Sequence, residues 1–227
     1  MDRPWRLRRP DRATFRDRAE AGRLLGERVR DERLDDPVVL GLPRGGVVVA
    51  AEIAAALGAP LDIVVARKLG VPWQPELAFG AVAPGAVALR HDVITATGLD
   101  RTDIDAAVAR VTAMLPELER RYRGDAPPVP LHGRTAVIVD DGLAAGATAT
   151  AAVRSVRSQR PKRIVVAVPV CATQTATEVR REVDDVICLG EYGDFHAVGL
   201  YYDDFGAVPD ATVRELVARG RHAPLGR

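Results

Sequence analysis

Cysteine, methionine, tryptophan and lysine are all scarce in this chain of 227 residues, each occurring twice. Cys171 and Cys188 stand in apolar segments and have neither the spacing of a metal site nor the number for a disulfide framework. Reduced thiols inside a cytoplasmic protein are therefore expected. No apolar run approaches the length of a membrane span, and the longest, 164–172, contains Pro169. A surplus of charge is also missing, because 32 basic side chains against 31 acidic ones leave a net +1. Such a balance provides no general field for nucleic acid or an anionic membrane, so neither partner is expected and any anion site must be local. The nucleotide-binding pattern Gly-x-x-x-x-Gly-Lys-Ser/Thr is absent, as is any added helix-turn-helix. The Arg-rich start, 1–11, lacks the apolar stretch of a secretion signal and reads as a disordered tip or as a basic flap near an anion.

What is present is ordinary for one α/β core: 47% hydrophobic and 28% charged residues. The expectation is a single domain over 1–227, with a core at about 37–189 and a hood built from the N-terminal segment and about 190–227. Apolar positions Phe15, Ala19, Leu24, Leu25 and Val29 predict an amphipathic helix. An apolar strand over 38–42, a helix over 47–57 closed by Gly58, and a strand over 61–66 form a βαβ unit, and such a crossover implies parallel strands. The Gly- and Pro-rich stretch 68–75 reads as a loop, followed by two short strands, 79–83 and 86–90. Asp100 is the expected N-cap of one long helix to Arg123, and 126–130 is a proline linker. The alternation then resumes with the strand 137–139, a helix to Gln159, a strand 164–170, a helix 173–182, a strand 184–189 and a terminal helix 211–219. The predicted fold class is α/β, a doubly wound and mostly parallel five-stranded sheet with a small hood subdomain.

The most informative segment is Val-Ile-Val-Asp-Asp-Gly-Leu-Ala-Ala-Gly-Ala-Thr at 137–148. It places Asp140 and Asp141 at the carboxyl end of a buried strand, where open α/β sheets bind ligands. Gly142, Leu143, Ala144, Ala145, Gly146, Ala147 and Thr148 follow, a run low in bulk that opens a helix. Such a run lets backbone N–H groups and a helix N-terminus converge on one anion. Carboxylates for hydroxyls beside donors for phosphate suit a sugar phosphate.

That segment resembles the signature of the type I phosphoribosyltransferases. The resemblance implies that Asp140 and Asp141 bind the ribose 2′ and 3′ hydroxyls of phosphoribosyl pyrophosphate (PRPP), while the 142–148 loop holds its 5′-phosphate. The family usually carries hydroxyl residues in mid-loop, whereas here Ala144 and Ala145 stand there. A second strand end, Pro43-Arg44-Gly45-Gly46, is similar to the family's pyrophosphate loop, which often has a non-proline cis peptide, expected at Arg44 or Gly45. Arg67 and Lys68, at a third strand end, are similar to the Arg-Lys pair of adenine and orotate members and would neutralise pyrophosphate. In some relatives such a lysine comes from a neighbouring subunit, which implies a homodimer.

The segment 195–205 is similar to the Phe-x-Val-Gly-x-x-x-Asp stretch of purine-salvage members. By that resemblance Tyr192 or Phe195 would stack on the acceptor and Asp203 would help hold Mg²⁺. His196 lies near the implied acceptor pocket, while His91, His132 and His222 show no ligand spacing. The 70–79 stretch is the expected lid, with Glu76 a candidate closing group. The implied reaction moves the phosphoribosyl group from PRPP to a nitrogen acceptor, with Asp140, Asp141, Arg67 and Lys68 as its catalytic residues. A non-catalytic PRPP-sensing protein is the competing reading.

Overall fold

The computed structural model describes residues 15–221. The Arg-rich start and His222 lie outside the described residues. In chain order the elements begin with α1 (Arg18–Arg30), β1 (Pro37–Gly41), α2 (Gly45–Leu57), β2 (Leu61–Ile63), β3 (Arg67–Val71), β4 (Gln74–Ala83) and β5 (Ala86–Leu89). Next come α3 (His91–Thr97), α4 (Arg101–Thr112), α5 (Leu115–Arg123), β6 (Thr135–Val139) and α6 (Ala147–Ser158). The chain continues through β7 (Arg163–Ala172), α7 (Thr173–Val179), β8 (Asp185–Tyr192) and α8 (Asp210–Gly220), with a 3-10 turn at Val198–Tyr201 before α8.

The main sheet has five strands in the order β2-β1-β6-β7-β8, and all four pairings are parallel. Alternation along the strands assigns the residues to two faces. Val39, Val137, Val139 and Val165 bury against Leu25 and Val29 of α1 and Ile53 of α2. Val38, Leu40, Ile138 and Val166 bury against Ala152, Val153 and Val156 of α6. Both faces are thus covered, which explains why these strands read as unbroken apolar runs. The α1 face predicted to be apolar lies on α2. A Cβ at Gly22 would stand 2.9 Å from the Glu52 Cβ and the Val49 carbonyl oxygen, so the crossing needs glycine there.

Four expectations are corrected. The stretch read as a loop is the β3–β4 hairpin, which joins β5 in a three-stranded antiparallel sheet. Leu69, Val71 and Phe79 are buried in its core, an attachment hidden in the sequence by Gly70, Pro72 and Pro75. The long helix expected from Asp100 to Arg123 divides into α4 and α5 at Ala113 and Met114, ahead of Pro116. A short helix, α3, precedes them and was not foreseen. Finally, the strand expected to end at Ala66 pairs only to Ile63, while the last strand runs on to Tyr192.

The cysteines are free, and their sulfur atoms lie 2.7 Å apart. The Cys171 thiol and burial together push the Cys188 thiol far above its usual range, so it stays protonated at neutral pH. Among the described residues no helix is long and apolar enough to cross a membrane.

Candidate functional site at the carboxyl end of the sheet

β1 and β6 are neighbours in register, Gly41 opposite Val139, so their carboxyl ends deliver two loops to one place. The loop after β1 lies directly on the acidic pair. A Cβ at Gly46 would stand 2.7 Å from the Val139 carbonyl oxygen and 2.8 Å from the Asp140 Cα, and one at Gly45 would stand 1.9 Å from Asp141 Oδ2. Only glycine permits this approach. The peptide between Pro43 and Arg44 is cis, within the span where one was expected.

Asp140 and Asp141 differ in their surroundings. Asp140 Oδ1 accepts the backbone N–H of Asp141 at 2.9 Å. Burial, and then the neighbouring Asp141 charge, push the Asp140 carboxyl well above the ordinary carboxylate range, while Lys68 and Arg18 act more weakly in the opposite direction. Asp141 has its own cation: Arg18 Nε donates to its Oδ2 at 2.7 Å, and the two side chains are only 12% and 16% exposed. The Arg18 guanidinium also lies 3.7 Å from the Phe205 ring centroid and donates to the Gly206 carbonyl at 2.9 Å. The Tyr202 hydroxyl completes the junction by donating to the Asp141 carbonyl at 2.6 Å. Arg18 thus ties the hood to the acidic pair. Sequence reading missed it, because one arginine among many, 123 positions from its partner, carries no local signal.

Replacing Arg18 with Met is expected to destabilise the protein by about 1–3 kcal/mol, because Asp141 then keeps a poorly hydrated charge without its donor. Urea unfolding checks this, and Arg18→Lys should recover only part of the loss because it cannot reproduce the planar contacts.

The small-residue loop is pinned from behind. The Leu143 N–H donates to the Val170 carbonyl and the Ala172 N–H to the Leu143 carbonyl, both at 2.9 Å. The Thr175 hydroxyl donates to the Ala144 carbonyl. Gly146, at φ 73°, then opens α6 with no side-chain cap. Among the described residues, the N–H groups of Ala144, Ala145, Gly146 and Thr148 have no backbone acceptor, and Ala144 and Ala145 are exposed. Unpaired donors at a helix start form an anion cradle.

Two cavities border these loops. One of about 850 Å³ is bordered by Ala144, Ala145, Gly146 and Ala147 together with His91, Arg154, Phe195 and His196. The other, of about 260 Å³, is bordered by Arg44, Arg67, Arg121, Tyr122 and Asp210. Arg67 and Lys68 are successive residues of β3 and take different directions. Arg67 faces the smaller cavity while the charge of Lys68 acts on Asp140.

Of the two aromatics expected to stack on an acceptor, Phe195 borders the larger of these two cavities and Tyr192 borders neither. Tyr192 packs on Tyr201 with ring centroids 4.5 Å apart, and its buried hydroxyl has no hydrogen-bond partner among the described residues. Asp203 is exposed, and its backbone N–H donates to the Phe15 carbonyl. No cluster of three or more His, Cys, Asp or Glu suited to a metal occurs among the described residues. Glu76 is exposed near the tip of the hairpin, and His196 pairs with Asp194 at 3.2 Å.

No family model matches the chain. Over 206 residues, 90% of its length, it is 44% identical to a Mycobacterium tuberculosis H37Rv protein named "Putative phosphoribosyl transferase Rv0571c", and equally to its counterpart MT0597 in strain CDC 1551. The crystal structure of TT1426 from Thermus thermophilus shares 42% identity at a TM-score of 0.73, covering 91% of this chain and 98% of that one. The chain belongs to the phosphoribosyltransferase family. It spans about half the length, 46%, of the mycobacterial relatives. The fold is the expected α/β class, with a five-stranded parallel sheet whose central strand, β6, ends at the acidic pair.

Proposed function

We propose that this phosphoribosyltransferase-family protein transfers the 5-phosphoribosyl group of PRPP to a nitrogen acceptor and releases pyrophosphate. The observation that carries the reading is the contact of Gly45 and Gly46 with Asp140 and Asp141, which joins a ribose-type site to a second anion site lined by arginines. Asp140 and Asp141 would accept hydrogen bonds from the 2′ and 3′ hydroxyls, and the loop N–H groups would hold the 5′-phosphate. In the reaction the C1–O bond to pyrophosphate breaks as a C1–N bond forms, and the acceptor gives up a proton. Positive charge grows on the ribose ring while negative charge grows on the leaving group. Arg44 and Arg67 stand where preorganised cations would stabilise the latter, and the carboxylates orient the ribose. Phe195 offers the cavity one aromatic face for a planar acceptor.

Among the described residues no cluster of three or more His, Cys, Asp or Glu offers a ready-made metal site, so no step is assigned to one. Mg²⁺ enters this proposal as the counter-ion of the substrate's pyrophosphate oxygens. A homodimer and a cytoplasmic location belong to the same proposal. Trp73, 61% exposed at the β3–β4 tip, is a large apolar side chain that a second copy would cover.

The test is incubation with PRPP and Mg²⁺ against purines, pyrimidines, aromatic amines and amino sugars, following pyrophosphate release and product mass. Turnover with one class of acceptor is the expected result. One observation favours the competing PRPP-sensing reading, the engagement of Asp141 by Arg18. Tight PRPP binding without turnover on any acceptor would select it, and absence of PRPP binding would overturn both.

A further inference from the structure

The smaller cavity mixes charges in a way that the transfer reaction does not require. Three guanidiniums border it, from Arg44 after β1, Arg67 on β3 and Arg121 on α5, and so does one carboxylate, Asp210, the first residue of α8. Arg44 Nη1 lies 3.6 Å from Asp210 Oδ1, and Arg121 Nη1 lies 3.6 Å from Asp210 Oδ2. Each oxygen therefore faces one cation, yet neither pair closes to hydrogen-bonding distance. The Tyr122 hydroxyl donates to Oδ1 at 3.2 Å. All of these side chains but Tyr122 are partly open to water, and the first turn of a helix favours the negative charge of Asp210.

We propose that Asp210 is a built-in carboxylate resting in an anion site formed by Arg44, Arg67 and Arg121, and that an incoming diphosphate displaces it. The inference rests on the PRPP reading and extends its leaving-group site to Arg121 and Tyr122, which stand on a helix not foreseen as part of it. The resident carboxylate sets a threshold. A monoanion with two oxygens gains nothing over Asp210, whereas a diphosphate brings more charge and more acceptor oxygens to the same donors. The like charge of Asp210 also weakens retention of pyrophosphate once it has formed, which favours its release. With about 260 Å³ available, the cavity has room for a small anion and several waters.

The experiment is calorimetric titration of inorganic pyrophosphate, without metal and at low salt, into the wild type, Asp210→Asn and Arg121→Gln. Asp210→Asn is expected to bind about fivefold more tightly and Arg121→Gln about fivefold more weakly, the scale of partly exposed charge pairs. Acetate should bind none of the three detectably. Weaker or unchanged binding by Asp210→Asn overturns the inference, as does an unchanged affinity in Arg121→Gln. If the wild type binds PRPP and pyrophosphate while both variants match it, only this inference falls. If the wild type binds neither anion, the PRPP reading falls with it.

Discussion

At pH 7.5, Asp140→Asn is expected to melt above the wild type and to bind PRPP about a hundredfold more weakly. The two effects share one cause. Burial and the adjacent Asp141 raise the Asp140 carboxyl well above its ordinary value, so the folded protein holds that proton more tightly than the unfolded chain does. Stability from this group is fully present below the unfolded value of about 3.9 and is lost as pH rises through the raised folded value. Above the unfolded value this carboxyl is a cost to the fold, and the neutral amide removes that cost. A gain of about 1 kcal/mol would raise the melting temperature by about 2–4 °C in a chain of this size. The gain should shrink toward zero below about pH 4, where wild-type Asp140 is protonated in both states. The amide, however, cannot supply two acceptor oxygens to a ribose hydroxyl, and a hydrogen bond to a charged group is worth about 1.5–3 kcal/mol, the upper end of which is roughly a hundredfold. Thermal scans at pH 3.5 and 7.5, with PRPP titration at the higher pH, check both parts. A lower melting point at pH 7.5 would show that the ionised carboxylate stabilises the fold.

Asp62→Ala is expected to lower stability by about 3–5 kcal/mol, the scale of breaking one side of a buried ion pair. Asp62 is 1% exposed and serves as a hub for four segments of the chain. Its Oδ1 accepts the Ile63 N–H at 2.8 Å and Arg123 Nε at 2.9 Å, and its Oδ2 accepts the Val129 N–H at 2.8 Å. Arg221 Nη1 comes within 3.1 Å of Oδ2, close enough for an ion pair although its direction is not that of a hydrogen bond. The Arg123 side chain is itself only 9% exposed, so truncating Asp62 removes the buried acceptor of its Nε, leaving it Glu119 and the Ile63 carbonyl, and takes away the acceptor of the Val129 N–H. Chemical unfolding gives the magnitude, and Asp62→Asn should lose less because it keeps one acceptor. The consequence reaches the site, since Arg123 ends the helix that carries Arg121 and Tyr122 to the smaller cavity. Pyrophosphate affinity should therefore fall in Asp62→Ala even at temperatures where the protein remains folded.

The central strands read correctly from sequence share one property: their burial is complete on both faces. Strands such as 137–139 and 164–170 are apolar at every position because helices cover the whole sheet, so no neighbour was needed to recognise them. The stretch 67–78 was misread because β3 buries only Leu69 and Val71, the first half of β4 is exposed, and Gly70, Pro72 and Pro75 interrupt the pattern. The helix break at Ala113 and Met114 was legible in principle from Pro116, but the amphipathic pattern continued across it.

The acidic pair, the small-residue loop, the glycines at 45 and 46 and the doubly wound sheet were determined by sequence alone, because each is a contiguous run whose chemistry is local. Tertiary structure decided which charges meet. Arg18 reaches Asp141 across 123 positions, Asp210 settles among arginines from three different elements, and Arg67 and Lys68 part company on one strand. Charged side chains on helix and loop surfaces obey no short periodicity, and a Coulomb contact depends only on distance in space. Such pairings become visible once the chain has folded and brought the partners together.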